Sequence, residues 1–120
     1  MKQSFALEAL MGLGHETRLE IFRWLVQVGH EGSSAGKIAE RFDLPATTLS
    51  FHLAHLERCG LLNSRRDGRM IIYSANYETM NELVAYLTEN CCGGAGAGAG
   101  ACSTNPQHKI AEKIAKTRRN

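Results

Sequence analysis

Along most of the chain apolar residues fall three to four positions apart, the spacing of helices with one buried face. Ser4 to Met11 predicts a short amphipathic helix with Phe5, Leu7, Leu10 and Met11 as its apolar set, and Gly12 and Gly14 are expected to break it. A longer helix is predicted from about Glu16 to Val28, with Leu19, Phe22, Leu25 and Val26 facing a core. Gly29 to Gly32 reads as a turn. Ser33 or Ser34 is suited to cap a helix over Ala35 to Phe42, because a hydroxyl can accept from an orphan amide of the first turn. Asp43-Leu44-Pro45 then turns the chain into a further helix, whose Leu49, Leu53 and Leu56 lie at i, i+4 and i+7. Cys59-Gly60 ends that helix, with glycine where a left-handed residue is expected.

After Gly60 the period changes. Asp67-Gly68 between alternating residues is a strong hairpin signal, and Arg65, Arg66 and Arg69 cluster around it. Asn76 to Asn90 returns to helical spacing through Tyr77, Met80, Leu83, Val84 and Leu87. The expected fold class is mainly α with a β-hairpin wing, a winged helix-turn-helix. Three regions follow: a folded domain over 1–92, a Gly/Ala-rich linker over 93–102 that ends in Cys102, and a basic, flexible tail over 103–120 in which His108 to Thr117 is a marginal helix.

The face of the Leu49 helix opposite its leucines carries Thr47, Thr48, Ser50, Phe51, His52 and His55, small or planar groups suited to base edges. Thr47, Thr48 and Ser50 can bond to bases or phosphates without steric demand, Phe51 can pack on a thymine methyl, and His52 can reach a phosphate or base edge. For His52 a surface or interhelical hydrogen bond is an equal alternative, and Phe51 can instead be a core aromatic. Arg69 at the wing tip is placed to line the minor groove, with Arg65 and Arg66 as phosphate contacts or solvated charges.

Charge refines this picture. The net charge over 120 residues is only +2, but residues 103–120 carry +4 and residues 1–102 carry −2. DNA affinity must therefore come from a local basic patch rather than from the whole protein. The N-terminal stretch lacks the apolar core of a signal peptide, and no segment is long enough to span a bilayer. A cytoplasmic protein without membrane association is expected, and there the four cysteines need an explanation other than structural disulfides.

The order of elements resembles the ArsR/SmtB family of metal-responsive winged-helix repressors. LGHETRLEIFRWL is similar to the family's second-helix opening, TTLSFHLAHLERCGLL to its recognition helix, and RRDGRMIIYSA to its wing. The resemblance spans roughly residues 5 to 92. It implies a homodimer built through the first and last helices, two recognition helices in successive major grooves of an imperfectly palindromic operator, and release of DNA on ligand binding.

The chain departs from two patterns of that family. SSAGKIAERF, before the recognition helix, has no Cys-Val-Cys, and ETMNELVAYLTEN, on the last helix, offers no histidine for the zinc-sensor site. Cys91, Cys92 and Cys102 remain, an arrangement that resembles arsenite-responsive members with a C-terminal cysteine triad. Thiolates select soft ions, and As(III) or Sb(III) takes three ligands. The expected inducer is therefore As(III) or Sb(III), with no organic cofactor. Zinc or cadmium held with His108 or water, a thiol-redox switch, and a thiol redox enzyme are the alternatives. The enzyme is disfavoured because no Cys-x-x-Cys and no oxyanion cradle is present. Cys59 reads as a small buried residue.

Overall fold

The structure is a computed structural model that describes residues 1–93. The Gly/Ala-rich linker beyond Gly93, Cys102, the basic tail and the helix expected over His108 to Thr117 lie outside the described residues. The chain divides into a unit over Met1–Tyr86 and a second unit that begins at Leu87. The elements run α1 (Gln3–Leu13), α2 (Glu16–Val28), β1 (Ser33–Ser34), α3 (Ala35–Phe42), α4 (Ala46–Arg58), β2 (Leu62–Asp67), β3 (Met70–Ala75) and α5 (Tyr77–Leu87). Among the described residues no helix is long and apolar enough to cross a membrane.

Local chemistry sets the boundaries. The imidazole of His15 caps α2 by accepting from the Thr17 amide at 3.2 Å, and the Ser34 hydroxyl caps α3 by accepting from the Lys37 amide at 3.2 Å. Asp43 ends α3 in the left-handed region at φ 51, and Pro45 leads into α4 at φ −59. Asn76 lies just outside α5 and accepts from the Thr79 amide through Oδ1 at 3.2 Å.

The centre of the core is built from Ile21 and Leu25 of α2, Ile38 of α3, Leu49, Leu53 and Leu56 of α4, and Leu61 just before β2. Each such side chain contributes roughly 1.5–3 kcal/mol on burial. Two expectations about the core are corrected. In α1 the buried residues are Ala6, Ala9 and Gly12, while Phe5, Leu7, Leu10 and Met11 are exposed. Gly12 does not break that helix but lies inside it, where the lack of a side chain lets α1 approach Cys59 and Leu61. In α2, Leu19 is exposed and Ile21 takes a core position, with Arg18 buried beside it.

The sheet has three antiparallel strands in the order β1-β3-β2. Ser33 pairs with Tyr73 and Ser34 with Ile72, so β1 is a two-residue strand that the hydrophobic pattern does not show. The wing register runs from Leu62 opposite Ala75 to Asp67 opposite Met70. The two loop residues are therefore Gly68 and Arg69, not Asp67 and Gly68. Gly68 has φ 64 and Arg69 stays out of the positive region, which is the backbone of a type II′ turn with glycine first. The turn thereby places Arg69 at the tip.

The last helix is shorter than the Asn76 to Asn90 span expected. It ends at Leu87, and Asn90 (φ 56), Cys92 (φ 60) and Gly93 (φ 72) are all left-handed, which a right-handed helix cannot absorb.

Candidate DNA interface and cysteine site

Helix α4 follows α3 through the short turn Asp43-Leu44-Pro45, and its leucine face is buried against the other helices. Thr47, Thr48, Ser50 and Phe51 are all exposed, and Phe51 leaves 61% of its surface to solvent. An aromatic ring held outward among hydroxyls, on a helix whose other face is locked into the core, is poised for contact with another molecule.

His52 does not belong to that face. It is only 6% exposed and meets Arg18 of α2, which corrects its assignment as a DNA contact. The reason is helical geometry: His52 lies three residues after Leu49 and four before Leu56, so it falls on the leucine stripe. That spacing was the signal in the sequence. Burial, then His15, Arg18 and His55 in that order, hold the His52 pKa below its ordinary 6.5. Burial, then Arg18 and Arg58, also lowers that of His55.

The wing is tied to the body on two sides. The Ser64 hydroxyl donates to Glu57 Oε2 of α4 at 2.5 Å, and Arg65 donates from Nη2 to the Glu31 carbonyl at 2.7 Å and from Nη1 to the His30 carbonyl at 3.5 Å. Two of the five N–H donors of Arg65 are thus directed at the α2–β1 loop, and its side chain stays exposed. Arg66 and Arg69 are exposed on the hairpin. The same framework holds the start of α5, where the Tyr77 hydroxyl donates to the Val26 carbonyl at 2.8 Å and its ring meets His30 edge-on at 4.7 Å.

Cys59 caps the end of α4 and donates through Sγ to the Leu56 carbonyl at 3.4 Å. Burial pushes its thiol pKa up, in keeping with a packing role.

Beyond α5 the Cys91 amide bonds to the Thr88 carbonyl at 3.0 Å, and the Sγ atoms of Cys91 and Cys92 lie 3.8 Å apart. On a regular helix these adjacent side chains would diverge by about 100°. The left-handed backbone at Asn90 and Cys92 replaces that helix here. Among the described residues no three histidine, cysteine or acidic side chains form a cluster that could hold a metal ion, and Cys102 lies outside them.

Comparison with known proteins places this geometry. Residues 13–65, from the end of α1 into the wing, match a helix-turn-helix domain model. The chain is 36% identical over 87 residues to the HTH-type transcriptional regulator YgaV of Escherichia coli, covering 72% of this chain and 86% of that protein. It is 29% identical over 87 residues to the transcriptional activator HlyU of Vibrio cholerae, covering 72% and 78%. Among solved structures, an ArsR-like transcriptional regulator from Rhodococcus sp. RHA1 superposes with a TM-score of 0.65 at 28% identity, covering 82% of this chain and 89% of that one.

Proposed function

This chain belongs to the ArsR family of winged helix-turn-helix transcriptional regulators, and on that premise we propose that it is a repressor released from operator DNA by trivalent arsenic or antimony bound to Cys91, Cys92 and Cys102. The observation that carries the proposal is the 3.8 Å separation of the Cys91 and Cys92 sulfurs, two soft donors brought together directly after α5. Three thiols and one arsenous acid give a tris-thiolate and three waters, so the chemistry needs no oxidant.

The operator is double-stranded DNA with an imperfect palindrome, read by a homodimer. Phe5, Leu7, Leu10 and Met11 on α1 expose apolar surface that a second copy would cover. Thr47, Thr48, Ser50 and Phe51 supply base and backbone contacts, while Arg66 and Arg69 meet phosphate or minor groove. Because α5 runs in sequence into the cysteines, ligand capture biases the dimer arrangement that spaces the two α4 helices. A coupling of roughly 1–3 kcal/mol would weaken DNA binding about 5- to 150-fold.

Two further readings rest on the same pair. Two sulfurs each about 2.3 Å from one tetrahedral ion are about 3.8 Å apart, which suits zinc, with cadmium as a larger thiophilic ion of the same class. Adjacent thiols this close are also open to oxidation and disulfide exchange, which suits control by thiol oxidation.

The deciding experiment is fluorescence anisotropy on labelled DNA from upstream of the protein's own gene, with the reduced chain under nitrogen. Release by micromolar arsenite or antimonite, lost in Cys91→Ser, Cys92→Ser and Cys102→Ser, supports the metalloid reading. Release by zinc or cadmium alone, or by peroxide alone, replaces it with the corresponding alternative.

A further inference from the structure

Arg18 is the only lysine or arginine buried among the described residues, with 8% of its surface exposed. Its Nε donates to the Gly12 carbonyl near the end of α1 at 2.7 Å, and its Nη1 lies 3.4 Å from His52 Nδ1 in the middle of α4. A guanidinium has no acceptor, so Nδ1 of His52 must present a lone pair and the ring proton must sit on Nε2. The ring of His15 lies 4.8 Å from the ring of His52, while its own Nδ1 caps α2. One buried side chain therefore ties α1, α2 and α4 together, and its contact on α4 lies next in sequence to Phe51.

We propose that His52 is a positioning residue for operator binding, seating α4 through Arg18 only while it is unprotonated, so that a proton on His52 weakens DNA binding. The inference rests on α4 being the helix that reads DNA. The groups that face His52 are Arg18 from α2, His15 at the N-cap of α2, and His55 one turn along α4. From α1 it is the Gly12 carbonyl, not a carboxylate, that holds the other side of Arg18. A protonated His52 would lose the acceptor that Arg18 uses and set a second positive charge against a buried guanidinium. The burial and cationic neighbours that keep His52 neutral are the same features that make its protonation disruptive. Thr47, Thr48, Ser50 and Phe51 would then be displaced together, because they share the α4 backbone.

The test compares the reduced full-length chain with His52→Gln, whose amide oxygen can accept from Arg18 and does not titrate. Operator affinity is measured by anisotropy from about pH 8 to about pH 5.5 at constant ionic strength, with circular dichroism confirming folded protein at each point. The wild type should lose affinity progressively relative to His52→Gln as pH falls below 6.5, by at least about twofold at the acid end. The variant should bind within about threefold of wild type at the alkaline end. Profiles of the two proteins that superimpose overturn the inference.

Should His52→Gln fail to fold, the wild type carries the test by imidazole ¹⁵N NMR. The expected result is an Nε2–H tautomer for His52 and a midpoint of affinity loss that coincides with its titration. An Nδ1–H tautomer, or a midpoint that follows another histidine, overturns it. A folded chain that binds no DNA at any pH refutes instead the reading of α4 on which the inference stands.

Discussion

A methyl group placed on Gly12 of α1 would lie 2.5 Å from Sγ of Cys59 at the end of α4. The other nearest atoms, Leu61 Cδ1 at 3.5 Å and Cys59 Cβ at 3.8 Å, are at ordinary contact distance. The conflict is thus with a single sulfur. Gly12→Ala should destabilise the chain by about 1–3 kcal/mol through overpacking. In a Cys59→Ala background the same change should be neutral or stabilising by up to about 1 kcal/mol, because alanine is the better helix former. Urea denaturation of the four proteins in a double-mutant cycle would measure the sign change. Equal effects in both backgrounds would mean that the helices are not in contact there.

Gly32 has no comparable escape. It has φ 71, and an added Cβ would run into the Tyr73 carbonyl oxygen in the backbone of the central strand. Gly32→Ala should cost about 2–4 kcal/mol, from left-handed strain plus displacement of β1 from β3. The thermal midpoint would report it. Gly29, at φ 98 and ψ −171, lies in a region open essentially to glycine alone but has open space around it, so alanine there should carry backbone strain without a collision.

The stability of the fold should also fall in acid, with a sign fixed by His52. Its folded-state pKa lies below the ordinary 6.5, so just below that pH the unfolded chain binds more protons than the folded one. The contribution is fully present above pH 6.5 and is lost as pH drops through 6.5 toward the folded-state value. Chemical denaturation at a series of pH values should show this slope in the wild type and a shallower one in His52→Gln. An identical slope in both would place the acid sensitivity elsewhere.

Phe51 and the wing arginines separate binding from folding. Phe51→Ala should leave stability within about 0.5 kcal/mol, since the ring is 61% exposed, while lowering operator affinity severalfold or more. Arg69→Ala should reduce the salt slope of DNA binding by about 0.9 if one phosphate contact is lost. Arg65→Ala should instead loosen the wing, because this guanidinium bonds to the Glu31 and His30 carbonyls, and its effect should appear as faster amide exchange along β2 and β3. Unchanged exchange would return Arg65 to the role of a solvated charge.

How much of this was legible in the sequence follows from the chemistry of each element. The leucine stripe of α4, the Ser34 cap and the glycine at the hairpin were readable because each is a strong local preference. The face of α1 was misread because its buried side is made of Ala6, Ala9 and Gly12, whose smallness permits close approach but carries little hydropathy signal. In the same helix the large apolar residues point outward, where none of the described residues covers them. His52 was misplaced because polarity outweighed its position on the leucine stripe, and the partner that lets it be buried, Arg18, comes from 34 residues away. Strand β1 is two residues long, too short for any period to register, and exists because β3 offers an edge. The cysteine pair was visible as composition, whereas the helix end at Leu87 that frees it from helical geometry depends on the backbone at Asn90 and Cys92.

The strand order β1-β3-β2 leaves β2 on the outside of the sheet, with one row of backbone amides and carbonyls not used by a neighbouring strand. Such an edge invites strands from other molecules to add on, the first step of aggregation. After Leu62 this strand reads Asn63, Ser64, Arg65, Arg66 and Asp67, all exposed and none apolar. Two adjacent arginines repel the like-charged edge of another copy, and the side chains offer nothing for a second sheet to pack against. A wing whose arginines suit a polyanion is for that reason also a poor template for other strands.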